Sequence, residues 1–109
     1  MSQSPTTIDG TADRVTTSPG EMLQEEFLLP LGLSANALAL ALRVPANRIT
    51  AILKDQRAVT ADTALRLGRY FGTSARFWLN LQQAYDLSRV RQKLADRIER
   101  EVAPREVAA

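Results

Sequence analysis

The sequence predicts an all-α protein of five or six helices in one compact domain, and three observations carry that expectation. Apolar residues recur at spacings of three and four in successive short windows, as one face of a 3.6-residue helix requires. Serine or threonine stands ahead of several of these windows in helix-capping position, and glycine or proline closes most of them. At 109 residues, 45% of them apolar, the chain has room for a single domain and enough hydrophobic side chain to give it a core.

Residues 1–17 are polar and rich in Ser and Thr, without the basic start and apolar stretch of a secretory signal, and read as a disordered N-terminal arm. The domain is expected over residues 18–87. Ser18, Pro19 and Glu21 suit the N-cap, first helical position and capping-box position of a first helix. Its apolar residues Leu23 and Phe27 lie one turn apart, and Pro30 with Gly32 is expected to stop it after Leu29. Ser34 caps a second helix, Ala35 to Leu42, whose stripe is read as Ala37, Leu38, Ala41 and Leu42.

Pro45 disfavours helix at Val44 but opens a new one well, so a tight turn leads into a third helix ending at Lys54. Ile49, Ile52 and Leu53 share its inner face. Thr60 caps a fourth helix with Asp62 in its first turn, where a carboxylate meets the positive end of the helix dipole, and Gly72 ends it. Ser74 caps a fifth helix with Phe77, Trp78, Leu81 and Tyr85 on its apolar face. From Leu87 the stripe narrows to Leu87, Val90, Leu94, Ile98 and Val102, predicting a C-terminal amphipathic helix over 88–103 and a tail over 104–109 after Pro104. That stripe has to pack on the core, on itself across a dimer, or on a partner.

Charge is unevenly placed. Residues 43–76 carry seven Lys or Arg against Asp55 and Asp62, whereas Glu21, Glu25 and Glu26 are the only charges in residues 19–30. One part of the surface suits an anion and another a cation. The chain has no cysteine and no histidine, which removes disulfides and the side chain most used for proton transfer and metal ligation. No catalytic site, metal or cofactor is expected. No apolar run reaches membrane-spanning length, and a soluble, cytoplasmic protein is expected.

The second and third helices meet the requirements of a helix-turn-helix. Ala39 is the small residue where the helices cross, Arg43 begins the turn four positions later, and Ile49 is the buried branched residue six further on. A helix presented this way sets its outward N-terminal residues against base edges in the DNA major groove. Asn47, Arg48, Thr50 and Ala51 are the candidate readers: Arg pairs bidentately with guanine, Asn with adenine, and Thr or Ala methyls meet the thymine methyl. Arg43, Lys54 and Arg57 are candidate phosphate contacts, and Ser34 joins the DNA-binding set.

The strings Pro19-Gly20-Glu21-Met22-Leu23, Thr60-Ala61-Asp62-Thr63-Ala64-Leu65-Arg66-Leu67, Tyr70-Phe71-Gly72-Thr73-Ser74 and Phe77-Trp78-Leu79-Asn80-Leu81-Gln82 extend the pattern over about residues 19–87. Together they resemble the HigA-type antitoxins of HigB/HigA toxin-antitoxin systems, in the Xre or Cro/cI-like helix-turn-helix class. The resemblance implies a lambda-repressor-like fold and a homodimer that represses its own operon by binding operator DNA. It also implies neutralisation of a HigB-type toxin, a ribosome-dependent ribonuclease. The acidic Glu21, Glu25 and Glu26 are the candidate toxin contacts, and Val90, Leu94 and Ile98 the candidate dimer contacts. Two other readings stand beside it: a stand-alone Xre-type repressor without a toxin, and a helical interaction module that no longer binds DNA.

Overall fold

The structure is a computed structural model that describes residues 16–106. Most of the expected N-terminal arm, and residues 107–109 of the expected tail, lie outside the described residues. Among those described there are five helices and no strand, so the all-α expectation holds at its lower helix count. Helix α1 is Pro19–Leu31, α2 Ala35–Leu42, α3 Ala46–Leu53, α4 Ala61–Phe71 and α5 Ala75–Glu101. Thr17–Tyr85 forms one compact unit, and the chain from Asp86 onward falls in a second.

The helix ends follow from capping chemistry. Ser18, Ser34 and Ser74 each accept a backbone N–H three residues on, at 3.0 Å, and Thr60 accepts that of Thr63 at 3.4 Å. Gly32 and Gly72 close α1 and α4 in left-handed geometry, at φ 61° and 79°. α2 closes the same way on Arg43, at φ 62°, with the Val44 N–H reaching back to the Ala39 carbonyl at 3.0 Å. Arginine holds this conformation at a cost of about 1–2 kcal/mol that glycine would not incur.

Three expectations are corrected. α1 does not stop at Leu29 but runs through Pro30 to Leu31, after a π-helical stretch at Leu23–Leu28. In that wider turn the Leu29 N–H bonds the Gln24 carbonyl, five residues back, and the local unwinding accommodates a proline that has no N–H to donate. The C-terminal amphipathic helix is not a separate element, because α5 continues without a break from Ala75 to Glu101. Nothing between Tyr85 and Val90 is a glycine or proline, so nothing in that stretch interrupts the hydrogen-bond ladder. In α2 the buried residues are Leu38, Ala39 and Leu42, while Ala41 is exposed. Burial of Ala39 beside Leu38 and Leu42 rotates the inner face by part of a turn from the expected stripe.

The core of the first unit takes residues from every helix. Leu23, Leu38, Ile49, Ile52, Leu67 and Trp78 are fully enclosed. Phe27 stacks obliquely on Phe71 and Trp78 at 4.7 and 5.1 Å, and the Trp78 indole N–H donates to Thr73 Oγ1 at 2.8 Å, which satisfies the one polar atom of that side chain. Gly20 lets α1 meet α3 at backbone distance: a Cβ there would stand 2.2 Å from the Ile52 carbonyl oxygen. In the second unit α5 leaves Leu87, Val90, Leu94 and Ile98 solvent-exposed, and Arg97 pairs with Glu101 at 3.0 Å across one turn.

Candidate nucleic-acid interface

The candidate interface is built on α3. Ile49 and Ile52 point into the core and pin the helix by its inner face, so Asn47, Thr50 and Lys54 are exposed and Ala51 half-buried on the other side. These are short or hydrogen-bonding groups, and an α-helix carrying them fits the width of the major groove. The Thr50 hydroxyl donates to the Asn47 carbonyl at 3.4 Å. Arg43 and Arg57 are exposed in the turns before and after α3, where cations meet the phosphates that flank a groove. Ser34 is exposed, but its Oγ already accepts the Ala37 N–H as the cap of α2.

Arg48 is placed differently from the other expected readers. It sits on the flank of α3, half-buried, and its Nη1 donates to Asp62 Oδ2 at 2.6 Å. Asp62 also accepts from Arg66 Nε, at 3.0 and 3.2 Å, and Arg66 Nη1 donates to the Leu42 carbonyl at 2.9 Å. A single carboxylate thus joins α3 to α4, and through Arg66 to the last turn of α2. The hydrogen bond from Arg48, then that from Arg66, lowers the Asp62 carboxyl below its ordinary value. From sequence Asp62 had only its place in the first turn of α4. The spacing of four between Asp62 and Arg66 was the available signal, while Arg48 is fourteen residues away and gave none.

Glu21, Glu25 and Glu26 are all exposed on α1. Among the described residues no single helix is long and apolar enough to cross a membrane.

The helix-turn-helix family matches residues 24–78, which is half of the chain and includes α2, α3 and α4 whole. The chain belongs to the Xre-type helix-turn-helix family. Its similarity to individual members is close. It is 61% identical over 74 residues to virulence-associated protein I of Dichelobacter nodosus, covering 68% of either chain. It is 40% identical over 74 residues to antitoxin HigA-1 of Vibrio cholerae, covering 68% of this chain and 70% of that protein. A solved structure of the Pseudomonas aeruginosa antitoxin HigA with the higBA promoter superposes with a TM-score of 0.80 at 45% identity, over 85% of this chain and all of that one. The resemblance to HigA-type antitoxins read from the sequence is borne out. This helix-turn-helix protein belongs to a class of DNA-binding regulators and antitoxins rather than enzymes.

Proposed function

We propose that the protein is a HigA-type antitoxin: a cytoplasmic homodimer that binds operator DNA through α3, represses its own operon and neutralises a HigB-type ribonuclease. The observation that carries this reading is the outward face of α3, with Asn47, Thr50, Ala51 and Lys54 free of the core, in a fold shared with a HigA that was solved with promoter DNA. Asn47, Thr50 and Ala51 face base edges, and Arg43, Lys54 and Arg57, with Ser34 at the start of α2, face phosphates. Two copies presenting α3 one helical turn of DNA apart read a pseudo-palindrome. The exposed Val90, Leu94 and Ile98 of α5 are the dimer contacts proposed here, since an exposed apolar stripe of this length is stabilised by burial against its own copy. The exposed acidic residues of α1 suit a basic ribonuclease.

The test is a gel shift on the DNA upstream of the protein's own gene, beside growth rescue on co-expression with a HigB-type toxin encoded next to it. Each dimer that neutralises six to eight phosphates loses on the order of a thousandfold in affinity between 50 and 200 mM salt. A shift with that salt dependence, together with rescue, supports the whole reading. A shift without rescue reduces it to a stand-alone repressor, and rescue without a shift removes DNA binding from it.

A further inference from the structure

Resting on that reading, we infer that Arg48 does not read a base: it is a strut, and Asp62 is the positioning residue that holds the recognition helix through it. The geometry points this way on three counts. Arg48 lies on the flank of α3, one position round from the outward row of Asn47, Thr50 and Lys54, with its side chain only 23% exposed. Its Nε is buried without a hydrogen-bond partner, so the Nε–Nη edge of the guanidinium, one of the two forks that can grip guanine, is turned away from any groove. Its Nη1 is held at 2.6 Å by Asp62, whose carboxylate would also face the acceptor-rich O6 and N7 edge of a guanine brought to the remaining fork.

The same carboxylate holds Arg66, and Arg66 holds the carbonyl at the end of α2. That carbonyl belongs to Leu42, next to the left-handed Arg43 that sets the turn. The relay Arg48, Asp62, Arg66, Leu42 carbonyl therefore ties α2, α3 and α4 together on the flank of α3 beside Ile52. The buried isoleucines fix how deep α3 sits, and the relay fixes its rotation about that anchor. Sequence discrimination then falls to Asn47, Thr50 and Ala51.

The experiment measures affinity by gel shift or anisotropy for the footprinted segment of the protein's own promoter and for single base-pair substitutions within it. Arg48→Ala and Asp62→Ala each weaken binding by about tenfold, the double variant is no weaker than either single, and the preference for the wild-type base at every position is unchanged. Arg48→Lys, which can still reach Asp62 but cannot form a fork, stays within about threefold of wild type. The slope of log affinity against log salt is unchanged, whereas loss of a phosphate contact lowers it by about 1. Relaxed discrimination at one base pair in Arg48→Ala, equal losses in Arg48→Lys and Arg48→Ala, or additive single losses would overturn the strut. Circular dichroism accompanies each variant; if Arg48→Ala does not fold, Arg48→Lys and Asp62→Asn carry the comparison. Failure of the wild-type protein to bind any promoter segment overturns the functional reading and this inference with it. Binding with altered base preference in the Arg48 variants overturns this inference alone.

Discussion

Replacing Gly20 by alanine adds one methyl group at the place where α1 touches the recognition helix, and the cost can be worked from the contact. The new Cβ would stand 2.2 Å from the Ile52 carbonyl oxygen and 2.8 Å from Asp55 Oδ1. The aspartate can swing aside, but the carbonyl belongs to α3, and Ile49 and Ile52 anchor α3 in the core with none of their surface open to solvent beyond 1%. Overpacking of this kind costs about 1–3 kcal/mol, and a clash with a pinned backbone lies at the upper end. Alanine returns up to about 1 kcal/mol in helix propensity, leaving a net loss of about 2 kcal/mol. For a unit of this size that lowers Tm by roughly 8–16 °C.

Because the group displaced is the backbone of the recognition helix, DNA affinity falls along with stability, even at temperatures where the variant is fully folded. The assay is thermal unfolding by circular dichroism beside a gel shift at 10 °C. Gly32→Ala is the control: Gly32 has φ +61° but nothing within 4 Å of an added Cβ, so it reports backbone strain of about 1 kcal/mol without a clash and leaves α3 in place. A Gly20→Ala protein as stable as wild type, or one that loses stability while binding DNA unchanged, would refute the argument.

Three further outcomes are expected. Thr73→Val leaves the buried Trp78 indole N–H without its acceptor and lowers stability by about 1–3 kcal/mol, read by urea denaturation with tryptophan fluorescence. Leu94→Asp with Ile98→Asp places charges on the exposed stripe of α5 and breaks the proposed dimer into monomers in sedimentation while the helical signal is retained, whereas a dimer unchanged by the two substitutions moves the interface elsewhere. Asp62 titrates lower in the folded protein than in the unfolded chain because Arg48 and Arg66 bond its charged form. Its stabilising effect is therefore complete above the unfolded value of about 4 and is lost as pH falls through the folded value. The Tm difference between wild type and Asp62→Asn is accordingly constant from pH 7 down to about 5 and shrinks below about 4.

The elements of this fold were legible wherever a single residue type satisfies a backbone requirement locally. Ser18, Ser34, Thr60 and Ser74 begin helices because their hydroxyls accept orphan N–H groups, and Gly32 and Gly72 end them because they tolerate positive φ. The spacing of Ala39, Arg43 and Ile49 placed the helix-turn-helix, and the structure buries Ala39 and Ile49 and holds Arg43 at the positive φ such a turn needs. Where elements end by competition between opposing local signals, pattern alone misled. Pro30 is a breaker in sequence but is absorbed by the π-helical stretch before it. The narrowing of the apolar stripe after Tyr85 does mark where the two compact units divide, but not a helix end, because an unbroken hydrogen-bond ladder carries α5 through it.

What only the tertiary structure decided is which side chains meet across elements. Helical spacing sets Arg48 on the flank of α3, a turn before Ile52, but no local signal names the carboxylate it meets, and any surface arginine on a recognition helix is open to reading as a base contact. The packing of α4 against α2 brings Arg66 to the end of α2 and sets Asp62 within reach of Arg48 on α3, and no local pattern in the intervening residues announces either meeting. Gly20 likewise looks like an ordinary helix residue until the Ile52 carbonyl arrives from thirty-two positions away in the chain. Backbone requirements act within a few residues and leave their mark as residue types at fixed spacings. Contacts between helices depend on how the buried faces interlock, and that is settled only when Leu23, Leu38, Ile49, Ile52, Leu67 and Trp78 close on one another to exclude water.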